Sequence, residues 1–248
     1  MTKAVVVDLD DTLLRYDKTI SEFTINTLKK CSAQGIILIF ATGRGTSSQK
    51  LVPDNFFDAR IMCNGAIAEI DNKTVYKQLI SPQIYRPFLQ EMSRLNLRAA
   101  AEISGIHYAN FNVSSMWERN FVITDFADMN KDAEKLYVVL DNSNDNEKIT
   151  RNLPPGLYSH FTNDSLALIM NADASKVKAL AVVLERMNID FKYVIAFGDD
   201  INDKEMLEKC GLGIAMANAL DDVKLIADDI CEDCNSDGLA NYLISHIL

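Results

Sequence analysis

Ala4 to Leu9 is a short, Val-rich apolar run between polar residues, the pattern of a strand buried on both faces of a parallel sheet. The period then turns helical. Ser21 stands where a cap belongs, Ile25, Leu28 and Cys31 fall on one face, and Gly35 follows Gln34 as a stop. Ile36 to Ala41 predicts a second buried strand and Arg60 to Cys63 a third. A hairpin-like pair should follow, turning near Asp71 and Asn72.

The middle of the chain reads differently. Ser81-Pro82 opens a helix whose apolar positions Ile84, Tyr85, Phe88, Leu89, Met92 and Leu95 form one stripe. Short strands are expected near Arg98 to Glu102, Ile106 to Phe111, Lys135 to Leu140 and Ser165 to Met170. Asn142 to Glu147 reads as a polar turn, and Pro154-Pro155-Gly156 as a breaker. From Ser175 the first pattern returns: a helix to about Met187, a strand over Tyr193 to Phe197 and a helix after Asn202. A strand over Gly213 to Met216 and a helix from about Gly238 complete it.

Strand, helix, strand with short links predicts an α/β fold. Its Rossmann-like parallel-sheet core is built from residues 1–80 and 172–248, interrupted by an inserted α+β domain over residues 81–171. With 48% hydrophobic residues among 248, the chain has the material for a large core.

A net charge of −10 disfavours any broad nucleic-acid footprint and requires a phosphate site to carry its own local cations. No apolar stretch reaches the roughly 20 residues of a membrane span, and no basic segment precedes a signal-like run. The expectation is a cytoplasmic monomer without membrane or nucleic-acid partners. Cys31, Cys63 and Cys210 stand singly, as in a reducing compartment. Cys231 and Cys234 alone have CxxC spacing, and packing explains them more simply than zinc, since no second pair follows.

Candidate chemistry gathers at strand ends. The first strand runs into Asp8-Leu9-Asp10-Asp11-Thr12, and ligands of open parallel sheets sit beyond such carboxyl ends. Two carboxylates ~4 Å apart repel by about 4 kcal/mol at an effective dielectric of 20, so a cation is implied. An isolated DxD is most simply a solvated turn, but this one has company. Tyr193 to Phe197 ends in Gly198-Asp199-Asp200-Ile201-Asn202-Asp203, and Ile36 to Ala41 ends in Thr42-Gly43-Arg44. The latter offers a hydroxyl, backbone N–H groups and a guanidinium for phosphate oxygens. Lys176 opens the helix at which the core pattern resumes. Carboxylates for a hard cation, donors for phosphate and one lysine together describe a magnesium–phosphate site.

Competing motifs fail. There is no GxxxxGK[ST] and no GxGxxG after the first strand. Asp141 to Asp145 resembles a calcium loop but has Asn146 where glycine is required and Asn152 where glutamate is required. His107, His160 and His246 pair with no Ser or Cys and are expected at the surface or partly packed.

In these four separated motifs, taken in order, the chain resembles the haloacid dehalogenase superfamily of phosphatases, in particular its Cof-type branch with a large α/β cap of type IIB. Asn64-Gly65-Ala66 also matches that branch, while Val177 departs from the glycine that often follows the lysine. The resemblance implies that Asp8 is the nucleophile and Asp10 the general acid and base. It implies Mg2+ held by Asp8, the Asp10 carbonyl and Asp199, with Asp203 as ligand or support. It also implies phosphate oxygens held by Thr42, Gly43 and Lys176. Arg44, Asn64 and Asn202 are lesser substrate-binding candidates, each with a structural alternative. Asp11, Asp200 and Thr12 are expected chiefly to shape their turns.

The cap of such relatives selects the leaving group, and Tyr108, Asn110, Trp117, Glu118 and Arg119 are its candidates here, against the simpler reading that they fill the cap's core. The implied activity is hydrolysis of a small phosphoester, with sugar phosphates the leading class and pyridoxal phosphate behind. A sugar-phosphate mutase with the same acids, and a non-catalytic phospho-ligand sensor, are the alternatives.

Overall fold

The computed structural model describes residues 2–53, 55–116, 120–162 and 165–248. The chain divides into two compact units, Met1–Lys77 with Ser175–Leu248, and Gln78–Ala174. In chain order the first unit opens with β1 (Ala4–Val7), α1 (Glu22–Ala33), β2 (Ile37–Ala41), β3 (Ala59–Met62), β4 (Ile67–Ile70) and β5 (Lys73–Lys77). The second contains α2 (Pro82–Arg94), β6 (Ala99–Ile103), β7 (Ile106–Ala109), β8 (Phe121–Ile123), β9 (Lys135–Val139), α3 (Asp145–Asn152), β10 (Leu157–Thr162) and β11 (Leu166–Asn171). The first resumes with α4 (Lys176–Arg186), β12 (Val194–Gly198), α5 (Lys204–Lys209), β13 (Leu212–Met216), α6 (Asp221–Lys224), β14 (Asp229–Cys231) and α7 (Gly238–His246).

The first unit's sheet has the order β14-β13-β12-β1-β2-β3-β4-β5. Strands β14 to β3 are parallel, and β3, β4 and β5 are joined antiparallel. The Rossmann-like α/β class is therefore borne out. β1 lies centrally, which is why its sequence is apolar throughout: Val5 and Val6 are fully buried, each worth about 1.5–3 kcal/mol. Strand order reverses between β1 and β12, so the switch point where α/β sheets bind ligands lies at their carboxyl ends.

Local signals explain the borders. The Ser21 hydroxyl accepts from the Thr24 amide at 2.9 Å and starts α1. Gly35, at φ 80°, ends it with paired bonds from its own amide to Ser32 O and from Ile36 N to Cys31 O. Asp71 and Asn72, at φ 49° and 61°, make the tight turn between β4 and β5.

The second unit's sheet runs β10-β11-β9-β6-β7-β8. Tyr85, Phe88, Leu89 and Met92 of α2 pack with Ala99, Ala101, Leu136 and Val138 on one of its faces. Among the described residues, no helix of either unit is long and apolar enough to cross a membrane.

Several expectations are corrected. Ile84 is 39% exposed and leaves the α2 stripe. On α1 the buried positions are Thr24, Thr27, Leu28 and Cys31, with Ile25 half-buried. Asn142 to Glu147 is only partly a turn, because α3 starts at Asp145. The Asp145 carboxylate ties that start to the preceding turn by accepting from the Asp141 and Asn142 amides. His107 is buried, its Nδ1 2.9 Å from the Tyr137 hydroxyl. β8, β10 and β14 went unforeseen, and all three are edge strands with little apolar alternation.

Candidate active site

Register brings the motifs to one edge. Val7 pairs with Phe40 on one side and Phe197 on the other, so Asp8, Thr42 and Asp199 leave the sheet side by side. The Asp8 amide still bonds Phe197 O at 3.0 Å, which anchors the residue as if it were strand.

Lys176, at the start of α4, is buried with its ammonium 2.5 Å from Asp8 Oδ1 and 2.7 Å from Asp203 Oδ1. The other Asp203 oxygen accepts from the Asp199 and Asp200 amides. The Thr12 hydroxyl donates to Asp199 Oδ1 at 2.8 Å, which ties the loop after β1 to the end of β12. Asp8, Asp199 and Asp203 present one oxygen each within 4.8 Å of one another.

One ammonium does not balance three carboxylates. Burial pushes the Asp8 carboxyl well above the usual range; Lys176 opposes the rise, and Asp203 and Asp199 add to it. Burial and then Asp203 push Asp199 up to about 7. An all-oxygen donor set with excess negative charge fits a hard divalent cation. The Asp10 carboxylate, by contrast, is not among these oxygens. Burial alone would raise its pKa, but Arg44 and Lys18 outweigh burial and hold it below the carboxylate range. Arg44 grips both Asp10 oxygens at 2.6 Å, and Lys18 reaches Oδ1 at 3.1 Å. Of its two readings, Arg44 in this structure takes the ion pair.

The turn after β3 is tightly constrained. Cys63, Asn64 and Gly65 all have positive φ, at 51°, 52° and 92°. A Cβ on Gly65 would lie 2.1 Å from Ser175 O, so only glycine lets this turn meet the segment that presents Lys176. Asn202 Nδ2 donates to Asn64 Oδ1 at 2.9 Å, and a Cβ on Gly43 would meet that same oxygen at 3.0 Å. The structure thus brings Asn64 and Asn202 together, with Gly43 packed against them. Val177 does not keep Lys176 from Asp8.

The family model for haloacid dehalogenase-like hydrolases matches residues 5–243. The chain belongs to this family. Among curated haloacid dehalogenase-like relatives, an HMP-PP phosphatase of Klebsiella pneumoniae is 26% identical, over 98% of this chain and 95% of its own. The 5-amino-6-(5-phospho-D-ribitylamino)uracil phosphatase YcsE of Bacillus subtilis is 26% identical, over 99% and 96%. The solved structure of BT1666 from Bacteroides thetaiotaomicron, a phosphatase of the same superfamily, superposes with a TM-score of 0.85 at 25% identity, covering 99% of this chain and 95% of its own. The family read from the four motifs is borne out.

Within this haloacid dehalogenase-like site, sequence reading missed Lys18 and Asn218. Lys18 sits at φ 64° in a turn closed by its amide to Arg15 O, and only that turn brings it back to Asp10 and Asp11. Asn218, just beyond β13, donates to Asp11 O at 2.7 Å. Asn-Ala after an apolar strand resembles any polar turn, so nothing local in the sequence marked Asn218. In the second unit, Asn110 is consumed locally: it donates to Ser93 Oγ and Leu97 O and accepts from the Ala99 amide. Tyr108 packs against the α2 core and lines a cavity of about 240 Å³ with Ile103, Val122 and Met129. Trp117, Glu118 and Arg119 lie outside the described residues. Cys231 and Cys234 are buried, and burial pushes their thiols up to about 12 and about 11.

Proposed function

We propose that the protein hydrolyses a small phosphorylated metabolite through an aspartyl phosphate on Asp8, with Mg2+ as its cofactor. The chain is a phosphoric monoester hydrolase of the haloacid dehalogenase superfamily. The observation that carries the mechanism is the Lys176 ammonium bridging Asp8 and Asp203 beside Asp199.

Lys176 fixes Asp8 Oδ1 and opposes the upward pull of burial on the carboxyl, which leaves Oδ2 as the attacking oxygen. Oδ2 forms the bond to phosphorus as the bond to the ester oxygen breaks. Asp10, once released from Arg44, takes up a proton from solvent and delivers it to the departing oxygen. Water then attacks the phosphorus and gives its proton to Asp10, and the Asp8 carboxylate and inorganic phosphate separate. Thr42, the Gly43 amide and Lys176 hold phosphoryl oxygens throughout. Asp8, Asp199 and the Asp10 carbonyl, with Asp203 directly or in support, would hold Mg2+, which when bound would neutralise charge on the transferring group.

The named activities of the relatives, on HMP-PP and on a phosphoribitylamino-uracil, support a small phosphoester substrate. Sugar phosphates are the first class to assay. Free-phosphate release should be measured across sugar phosphates, nucleotides and pyridoxal phosphate, with magnesium and with EDTA, beside Asp8→Asn. Magnesium-dependent release abolished by Asp8→Asn supports the reading. Isomerised sugar phosphate without release would replace hydrolysis by mutase action.

A further inference from the structure

Asp11 follows the proposed acid directly and takes φ 57°, a left-handed backbone in a non-glycine residue. Such a conformation persists only where its surroundings over-determine it. Its peptide carbonyl receives the Asn218 side-chain amide at 2.7 Å, and the Asn218 carbonyl oxygen accepts from the Cys234 amide at 3.0 Å. One asparagine therefore ties together the loop after β1, the end of β13 and the segment before α7.

That segment holds the same loop at further points. Arg15 donates to both Asp237 oxygens at 3.0 Å, and Asp237 also accepts from Ser21 at 2.6 Å and Thr24 at 3.1 Å. The Tyr16 hydroxyl meets Asp233, and its amide meets Asn235. These bonds hold the far end of the loop. Asn218 alone among them reaches the carbonyl of Asp11, the residue that follows Asp10.

We propose that Asn218 is a positioning residue for the hydrolytic reaction, holding Asp11 in its left-handed conformation so that Asp10 is aimed at the ester oxygen. The inference rests on the function proposed above. Thr42, Gly43 and Lys176 lie on other elements, so Asn218 bears on turnover and not on phosphate binding.

Asn218→Asp is the informative change. It keeps the size and the acceptor for Cys234, but it removes the donor to Asp11 O and sets a negative charge against that carbonyl. With p-nitrophenyl phosphate and magnesium, kcat per folded molecule should fall about tenfold or more, with KM within about threefold. Amide hydrogen exchange over residues 9–19 should speed up about tenfold, with the rest of the chain unchanged. Asn218→Ala should do the same. Adding Asp11→Gly, which accepts φ 57° without help, should restore most of the lost kcat. Unchanged exchange over 9–19 in Asn218→Asp overturns the proposal whatever the wild-type rate, as does a double variant no faster than the single one. Asp8→Asn, run alongside, should stop phosphate release without altering that exchange. If it does not stop release, the phosphatase mechanism has failed separately from the brace.

Discussion

Both oxygens of the Asp10 carboxylate lie 2.6 Å from guanidinium nitrogens of Arg44. A fork-on-fork pair of this kind is among the stronger ionic contacts a protein makes. It holds in ionised form the group whose first task in the proposed hydrolysis is to give up a proton. On the proposed mechanism Arg44 must therefore yield before Asp10 can act, and an incoming phosphoryl group would be the anion to draw it away.

Arg44→Gln tests what sets the Asp10 titration. Burial would then act with only Lys18 opposing it, and the Asp10 midpoint should move upward. In the wild type the lowered midpoint contributes stability that is present above the unfolded pKa and lost as pH falls through the folded one. The variant should lose part of that contribution. Carboxyl ¹³C titration of labelled aspartate reads the midpoint, and an unmoved value would exclude Arg44 as its cause.

Gly198→Ala should disable the site from behind. The new Cβ would lie 2.6 Å from Asp203 Cβ and Cγ and 2.8 Å from its Oδ2, so the carboxylate must move. Asp203 would then release Lys176 and the two amides it holds. Phosphate release should fall about a hundredfold. Gly35→Ala is the control: its φ of 80° carries a strain of about 1 kcal/mol, but nothing lies within 4 Å, so activity per folded molecule should be kept.

Lys176→Met removes the ammonium buried among Asp8, Asp199 and Asp203. Breaking a buried pair from one side costs about 3–5 kcal/mol, because the remaining charges stay buried without a partner. Without divalent cations the variant should melt well below wild type and release no phosphate. Magnesium should raise its melting temperature more than that of wild type, since the ion would then be the cluster's only neutralising charge. Equal shifts in the two proteins would argue that the ion binds elsewhere.

The parts of the fold legible in the sequence are those whose pattern is forced by burial on both sides. β1, β2 and β12 are central strands and read as unbroken apolar runs, and their acidic or Thr-Gly-Arg endings gave Asp8, Thr42 and Asp199 their positions. Ser21 and Gly35 marked α1 because capping chemistry is local. β8, β10 and β14 are edges, buried on few sides, and their composition carries little signal. Lys18 and Asn218 escaped for another reason. Each reaches the site through a turn whose geometry depends on partners distant in sequence, such as Asp11 and Cys234 for Asn218. Ile84 and Ile25 show the converse error: a periodic apolar position is not necessarily a buried one when the helix face is set by Tyr85 or Thr24.

Glu134→Gln should make the protein more stable at pH 8. Glu134 is buried to 6% exposure, and burial together with the nearby Glu102 charge raises its pKa from an ordinary 4.5 to about 7. Between those values the folded state keeps a proton that the unfolded chain has lost, so stability falls as pH rises through that window and levels off above it. The full effect is at most about 3 kcal/mol. Glutamine cannot ionise, and its carbonyl oxygen can still accept from the Ser104 amide, which Glu134 Oε1 does at 3.1 Å. Urea unfolding should therefore separate the two proteins at pH 8 and bring them together near pH 4. Identical curves at pH 8 would mean that Glu134 ionises in place, with Lys135, which already pairs with Glu102 at 3.3 Å, as the neighbour able to compensate it.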